Sequence, residues 1–540
     1  MKNFYKSVLE NIKSTSDLDK LRTLCKKYKP DQIPSKIRLL LASKGELKLK
    51  TKPVRVLSGV APVAIMTKYF ACKHGVCTMC PTFPDVAPQS YTKNAPASLR
   101  AYRNKFHPYL QVFNRLEQYR LLGHMPDKIE LILMGGTFTS IPVSYQNWFI
   151  KNAFMAFNDF QKYLDFDKFV EFFELDLENN RDDKEKETRI QTKILDQING
   201  VQFSKALKQN EIAKLRCVTL CIETKADWCT KKEINRMLNQ GCTRVELGVQ
   251  STSDSVLNRI NRGHTVADNI RAIKELKDSG FKVGYHMLLG APNSDVKQDL
   301  EMMKEIFSNP DYKPDALKIY PCMVFKNTPL YNEWKNGLFN PLTTEQSVPL
   351  IAEIKRYVPK YCRIMRVQRD MPTYESEAGV NRTNLRQYVH AHMNKQGWKC
   401  NCVRCRQPPE NFIIKNPKLE RLDYEASKGQ EIFLSYEQDD KLLGFLRLRI
   451  PSKPFRKEIT KKTALVRELH IYGNLVNIDN TSKDVQHQGL GRSLMLEAER
   501  IAKEEFKMNK MVVISGIGVK EYFRKNLGYK DDGVYVSKSL

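Results

Sequence analysis

Between residues 54 and 320 the chain alternates short apolar runs with helix-length amphipathic segments, and this alternation restricts its fold more than any other feature. The strand candidates are VRVLSGVAPVAIMT (54–67), ELILM (130–134), CVTLCIE (217–223), RVELGV (244–249), KVGYHMLL (282–289) and ALKIY (316–320). Each is apolar enough for a strand buried in a parallel sheet. Segments such as NRLEQYRLLG (114–123) and DNIRAIKELKDSG (268–280) separate them. Parallel neighbours need a crossover, and a helix supplies it. The pattern therefore predicts an α/β layered or barrel fold with right-handed connections.

The character of the chain changes around this unit. Residues 1 to about 55 read as a helical, basic N-terminal region, and 56–344 as the main α/β domain. Residues 177–212 are highly polar and predict a partly helical surface excursion. A linker is expected over 345–410. A second α/β unit follows over 411–540, with strands at IFLSYE (432–437), LLGFLRLRI (442–450), ALVRELHIYGNLV (464–476) and MVVISGI (511–517), and a helix beginning near Gly491. There is no internal repeat.

Charge points to a class of partner. The 89 Lys and Arg residues outnumber the 61 Asp and Glu by 28, an excess that favours a polyanion such as nucleic acid. Lys36, Arg38, Lys44, Lys48, Lys50, Lys52 and Arg55 crowd the N-terminal region and form a candidate phosphate-tracking patch. No run of about 18 uncharged apolar residues exists, so no membrane span is expected. MKNFYKSVLENIKS lacks the apolar stretch of a signal peptide. Thirteen cysteines in such a chain imply a reducing cytoplasm, with clustered thiols read as metal ligands rather than disulfides.

Two cysteine clusters carry that reading. In CKHGVCTMC, Cys72, Cys77 and Cys80 directly follow a strand candidate, and no fourth cysteine lies nearby. Three thiolates on a four-iron cubane leave one iron open for a substrate or cofactor. In CNCVRC, Cys400, Cys402 and Cys405 fit a zinc site whose fourth ligand is distant or solvent, with His390 and His392 as candidates. A third motif, QHQGLGRS (486–493), fits a pyrophosphate loop of the form Gln-x-x-Gly-x-Gly, in which Gln486, Gly489 and Gly491 fill the pattern. Its glycines free backbone N–H groups, and the following helix adds its positive end.

FACKHGVCTMCP, PQSYTKNAPASLRA (88–101), GHMPDKIELILMGGTF (123–138), CTRVELGVQS (242–251), NRGHTV (261–266) and MRVQRDMP (365–372) together resemble the catalytic subunit of Elongator, a radical S-adenosylmethionine (SAM) enzyme family with a fused acetyltransferase-like domain. The resemblance runs from about residue 30 to the C-terminus and rests on the order and spacing of the motifs. The compact cysteine spacing is similar to archaeal and bacterial stand-alone forms. The resemblance implies a radical SAM partial (β/α) barrel followed by a GNAT acetyltransferase-like domain, with a zinc-binding linker. It implies that Cys72, Cys77 and Cys80 hold a [4Fe–4S] cluster whose open iron chelates SAM, and that Cys400, Cys402 and Cys405 hold zinc. Gly135 and Gly136 would let backbone approach the methionine part of SAM, with Glu246 and Gln250 contacting the cofactor from the barrel mouth. Glu468, Leu469, His470, Ile471, Gln486, Gly489, Leu490, Gly491 and Arg492 would line acetyl-CoA. Lys128 would reach it from the barrel, and Tyr522 would act on the thioester.

The implied reaction uses a SAM-derived radical and the acetyl group of acetyl-CoA to build a carboxymethyl group at carbon 5 of the wobble uridine of transfer RNA. The implied partners are transfer RNA, for which residues 1–55 are a binding candidate, and an electron donor to the cluster. A homodimer or Elongator-like accessory subunits remain open. Tyr91, Tyr102 and Tyr109 are candidates for base stacking or for cleft packing. The rival reading is a protein lysine acetyltransferase acting through the C-terminal domain alone. The chain departs from the family twice: CPTF places Thr82 and Phe83 where two glycines are usual, and Tyr522-Phe523 replaces a pair of tyrosines.

Overall fold

A run of Val, Ile and Leu that is buried on one face only must alternate with something on the other, and the strands of this chain do so. The computed structural model describes residues 2–12, 18–29, 35–47, 59–176, 183–409, 412–472 and 489–540. β1 (Ala61–Met66), β2 (Lys128–Met134), β3 (Arg216–Thr224), β4 (Arg244–Gln250), β5 (Lys282–Leu289) and β6 (Ala316–Pro321) lie side by side in sequence order, all parallel. After the two-residue β7 (Val324–Phe325), β8 (Arg363–Arg366) completes the sheet beside β6, and β7 pairs with β9 (Ser376–Ala378) in a separate ribbon. Sequential order without a switch point brings the C-terminal ends of the strands to one edge. Among the described residues β1 and β8 do not pair, so the sheet forms a half-barrel rather than a closed one.

The outward residues Ile129, Leu131, Leu220, Val245, Val283 and Leu317 form the main core with helices Pro108–Leu121 and Val143–Phe160. The inward residues are Glu130, Glu223, Glu246, His286 and Lys318, which line a cavity. The runs read as apolar enough for buried strands are therefore two-faced. The seventh strand, RIMR, comes from the stretch read as linker, being too short and too charged to show as a strand candidate. The polar excursion contains helices Lys184–Leu195 and Phe203–Asn210. Helices Lys2–Asn11, Leu18–Tyr28 and Lys36–Ala42 share a small core of Phe4, Val8, Leu21, Leu24 and Leu39. Of the basic patch, Lys48, Lys50, Lys52 and Arg55 lie outside the described residues. No helix among the described residues is long and apolar enough to cross a membrane.

The C-terminal unit is a second sheet of β10 (Lys418–Ala426), β11 (Gly429–Gln438), β12 (Lys441–Ile450), β13 (Thr463–Ile471), β14 (Lys510–Val513), β15 (Lys530–Asp532) and β16 (Tyr535–Ser539). Its order is β10-β11-β12-β13-β14-β16-β15, antiparallel except for the central β13–β14 pair. That pair covers only Thr463–Val466 against Lys510–Val513, so β13 runs on past its parallel neighbour.

Buried ion pairs weld the two sheets. Arg467 on β13 donates to both carboxylate oxygens of Asp315, at 2.7 and 2.8 Å, and to Glu431 at 2.7 Å. Arg449 bridges Asp278, at the end of helix Val266–Asp278, and Glu431. Glu468 takes Arg447 at 2.8 Å and Lys282 at the start of β5. Burial opposes ionisation of Asp315, but Arg467 and then Lys277 override it and hold the carboxyl well below its ordinary value. Removing one partner leaves a buried charge uncompensated, so Arg467→Ala is expected to destabilise the protein by about 3–5 kcal/mol in denaturant unfolding. The carboxylates of the seam have lowered folded values, Glu468 reaching about 2 from an ordinary 4.5. Their contribution is therefore complete at neutral pH and lost as pH falls from 4.5 toward 2, which melting curves across that range will register.

Candidate active site

Cys72, Cys77 and Cys80 sit on the loop that leaves the C-terminal end of β1, with Cys77 and Cys80 buried and Cys72 half-buried. All three line a cavity of about 920 Å³ inside the half-barrel. Burial raises the Cys72 and Cys80 thiols above their ordinary values, and the charges of their sister sulfurs raise them further. Three crowded thiolates therefore need a cation. The ligand atoms of Cys400, Cys402 and Cys405 all lie within 4.8 Å of one another. Thiolates on one zinc sit about 3.8 Å apart, from a Zn–S length of about 2.3 Å. Three thiols from one loop, all opening on one cavity, fit a four-iron cluster of which they would hold three irons. Donors surround it: His74 Nε2 lies 3.3 Å and Arg262 Nη1 3.7 Å from Cys77 Sγ, while Gln89 Nε2 and Ser90 Oγ lie 3.2 and 3.1 Å from Cys80 Sγ.

Beside the cysteines, β2 ends in a turn that only glycine fits. A Cβ on Gly135 would come within 2.3 Å of Thr67 Oγ1, and Gly136 has φ +74°. Gln250 ends β4 in a left-handed conformation, φ +66°, and lines the same cavity as Gly136. Glu246 also lines it but is committed to ion pairs with Arg244 and, at 3.7 Å, Lys318, and to a hydrogen bond with His286 Nε2 at 3.2 Å. Burial opposes its charge, and Arg244 followed by Lys318 overcomes that, holding it well below the ordinary value. Gly284 on β5 makes room, since a Cβ there would lie 2.7 Å from Glu246 Oε2.

The polar wall continues through Glu223, which accepts from Lys318 Nζ at 3.0 Å and from the Tyr91 hydroxyl at 2.6 Å. Sequence reasoning passed over Arg244, Glu223, His286 and Lys318. The signal was present as polar or charged residues within each apolar strand, with Arg244 and Glu246 two residues apart and so on one face. Of the other tyrosines, Tyr109 is wholly buried and donates to Asp159 at 2.8 Å, so it cannot stack on a base, whereas Tyr102 is exposed.

In the second sheet, β13 divides its expected ligands by strand alternation. Leu469 and Ile471 face Gly491: a Cβ there would lie 3.5 Å from Ile471 Cγ1, 3.9 Å from Leu469 Cδ2 and 3.4 Å from the Tyr522 hydroxyl. Gly489, Leu490, Gly491 and Arg492 open helix Leu490–Arg500, with Gly489 at its N-cap in the left-handed region and clear space around it. Burial raises the Tyr522 phenol and the charge of Arg492 lowers it. Glu468 points the other way, into the seam. His470 stacks on Phe445 and packs against Tyr472, whose hydroxyl accepts from Arg363 at 2.6 Å. Lys128 begins β2 at the far end of the barrel from the cysteines, 3.8 Å from Asp127 and next to Arg216, against which Gly518 packs. Gln486 lies outside the described residues.

Family models match this division. The Radical SAM superfamily matches residues 66–305, the Radical SAM C-terminal domain 314–395, and the acetyltransferase (GNAT) family 402–529. A protein named tRNA uridine(34) acetyltransferase from Methanocaldococcus infernus is 48% identical over 508 residues, covering 91% of this chain and 88% of that protein. Elongator complex protein 3 of Saccharomyces cerevisiae is 39% identical over 541 residues, covering 95% and 90%. The chain belongs to the Elongator complex protein 3 family. The solved structure of Methanocaldococcus infernus Elp3 lacking residues 1–46 superposes with a TM-score of 0.73 at 44% identity, over 89% of this chain and 100% of that one. The radical SAM domain implies a [4Fe–4S] cluster and SAM, and the GNAT domain implies acetyl-CoA.

One departure from the Elongator complex protein 3 pattern resolves by geometry. Phe523 packs into the core of the second sheet with Leu494 and Val513, and Tyr522 is the ring that meets Gly491. The second cysteine cluster lies between the sheets: Val403 N–H donates to the Cys362 carbonyl beside β8, and Arg406 accepts from Leu442 N–H on β12. Cys400 and Cys405 hold Cys402 toward its thiolate form. Of the two candidate histidines, His390 has its Nε2 2.8 Å from Lys355 Nζ, and His392 packs on Trp398. Lys355 Nζ also lies 3.7 Å from Cys405 Sγ. Purified protein is expected to carry one zinc per chain by elemental analysis, lost in Cys402→Ser together with a lower melting temperature. Glu246→Gln is expected to lower the melting temperature as well as SAM affinity, because it unpairs Arg244 and Lys318.

Proposed function

We propose that this chain modifies transfer RNA, using acetyl-CoA and SAM to form the carboxymethyl group at carbon 5 of the wobble uridine. One observation carries the reading. The cavity that begins at Cys72, Cys77 and Cys80 continues inside the half-barrel to Arg363 on β8, to Gln407 and to Lys441, the first residue of β12 in the second sheet. The cysteine end and one edge of the acetyltransferase-like domain, at Lys441, thus border one space. The names of the relatives support the substrate: the Methanocaldococcus infernus protein is called a tRNA uridine(34) acetyltransferase, and uridine 34 is the wobble position. The name Elongator complex protein 3 supports accessory subunits as partners in some settings.

Bound cluster and SAM supply one-electron chemistry that yields a carbon radical, given an external electron donor. The chain's own residues do the rest. Gly135, Gly136 and Gln250 shape a close-fitting floor beside the cysteines. The fixed ion pairs of Glu223, Glu246 and Lys318 line the space where a base splayed out of its stack would lie. Gly489 and Gly491 leave backbone N–H groups open to a pyrophosphate, and Tyr522 offers its phenol to the thioester. The excess of 28 positive charges supplies phosphate affinity. All thirteen cysteines are free, which supports a reducing, cytoplasmic setting.

Anaerobic reconstitution with SAM, acetyl-CoA and transfer RNA is expected to release 5′-deoxyadenosine and to leave carboxymethylated uridine, read by mass spectrometry. Acetylated protein without modified uridine would instead establish the lysine acetyltransferase reading. Cys77→Ala is expected to abolish SAM cleavage and leave transfer RNA binding within about twofold of the parent. Binding itself should weaken steeply with salt.

A further inference from the structure

The replacement of the glycines after Cys80 has a structural consequence. Thr82 Oγ1 accepts a hydrogen bond from Gln89 Nε2 at 2.8 Å, and the same nitrogen lies 3.2 Å from Cys80 Sγ. The Thr82 hydroxyl in turn reaches the Cys80 carbonyl at 3.5 Å. Hydroxyl, amide and thiol close a ring around one cysteine. A glycine at 82 would open it.

The orientation of the amide follows from its surroundings. Gln89 is 3% exposed and lines the cavity. It is wedged against the glycine turn, where a Cβ on Gly136 would lie 3.3 Å from its carbonyl oxygen and 3.5 Å from its Cβ. An amide NH₂ has two donors, and two acceptors face it: a hydroxyl oxygen and a sulfur. Its Oε1 has no hydrogen-bond partner among the described residues. Turned over, the amide would press that oxygen against the thiolate, and like partial charges would repel.

We infer that Thr82 positions the Gln89 amide as a hydrogen-bond donor to Cys80 Sγ and thereby sets the reduction potential of the cluster. The inference rests on the cluster assignment above. Reduction adds one electron to the cluster, and a donor aimed at a ligating sulfur stabilises the added charge, moving the potential positive. Thr82 does not line the cavity, whereas Gln89 does, so Thr82 acts through Gln89.

The test is a redox titration of anaerobically reconstituted full-length protein, followed by electron paramagnetic resonance, with iron and sulfide measured on each sample. Thr82→Val, Thr82→Gly and Gln89→Leu are expected to load iron like the parent and to titrate at more negative potentials. Thr82→Ser keeps the hydroxyl and is expected to titrate with the parent. Combining Thr82→Val with Gln89→Leu should add no shift beyond Gln89→Leu alone. A parent potential in fully loaded Gln89→Leu overturns the inference, as does a Thr82→Val shift that persists on top of Gln89→Leu. If Gln89→Leu does not fold, Thr82→Val against Thr82→Ser decides, and equal potentials there overturn it. A parent protein that takes up no iron is a different result: it removes the cluster assignment itself.

Discussion

The Arg467–Asp315 pair, with Glu431 and Arg449 beside it, is the contact on which the rest of the arrangement depends. Each of these side chains is essentially inaccessible to solvent, and an isolated charge at that depth is prohibitively costly. The only inexpensive state is the one in which both domains deliver their partners together. Asp315 stands just before β6, Asp278 ends a barrel helix and Lys282 opens β5, so the network grips the N-terminal ends of the barrel strands. Arg447 extends it, lying 5.2 Å from the ring centres of both Phe433 and Phe445. The orientation of the acetyltransferase sheet is thus tied to the strands whose opposite ends carry the cysteine mouth.

The same logic operates inside the half-barrel. Its concave face is lined by Glu223, Glu246, Arg244, Lys318 and His286 in mutual contact, an interior unusual for a sheet and stable only because each charge is answered. Room for the pairing comes from a small residue at the right register: Gly284 stands opposite Glu246. The result is a cavity whose walls are polar yet fixed, bounded at one end by thiols and at the other by the linker and β12.

Much of the frame was legible. KVGYHMLL coincides with β5, and ELILM, CVTLCIE and ALKIY lie within β2, β3 and β6, because β-branched and apolar runs of this length have few other fates. RIMR did not reveal itself, since four residues with two arginines carry no hydrophobic signal; its place is decided by the open edge of β6. The run Glu468–Ile471 was read as one ligand-lining stretch, but a strand sends alternate residues to opposite faces, and here one face meets Gly491 while the other meets the barrel. Tyr522 and Phe523 illustrate the same point on a helix, one ring at the site and its neighbour in the core.

By itself the sequence determined what is local: three thiols within nine residues, three more within six, a glycine loop before a helix, and the order of strands along the chain. Those features act through neighbours in the chain, so spacing is enough to read them. Tertiary structure alone decided which charges neutralise one another, that Thr82 and Gln89 meet at Cys80, and that one cavity joins the cysteines to the second domain. The charge pairs and the cavity depend on residues far apart in sequence arriving at hydrogen-bond distance, and the Thr82–Gln89–Cys80 contact on an irregular loop path; no period or spacing encodes either.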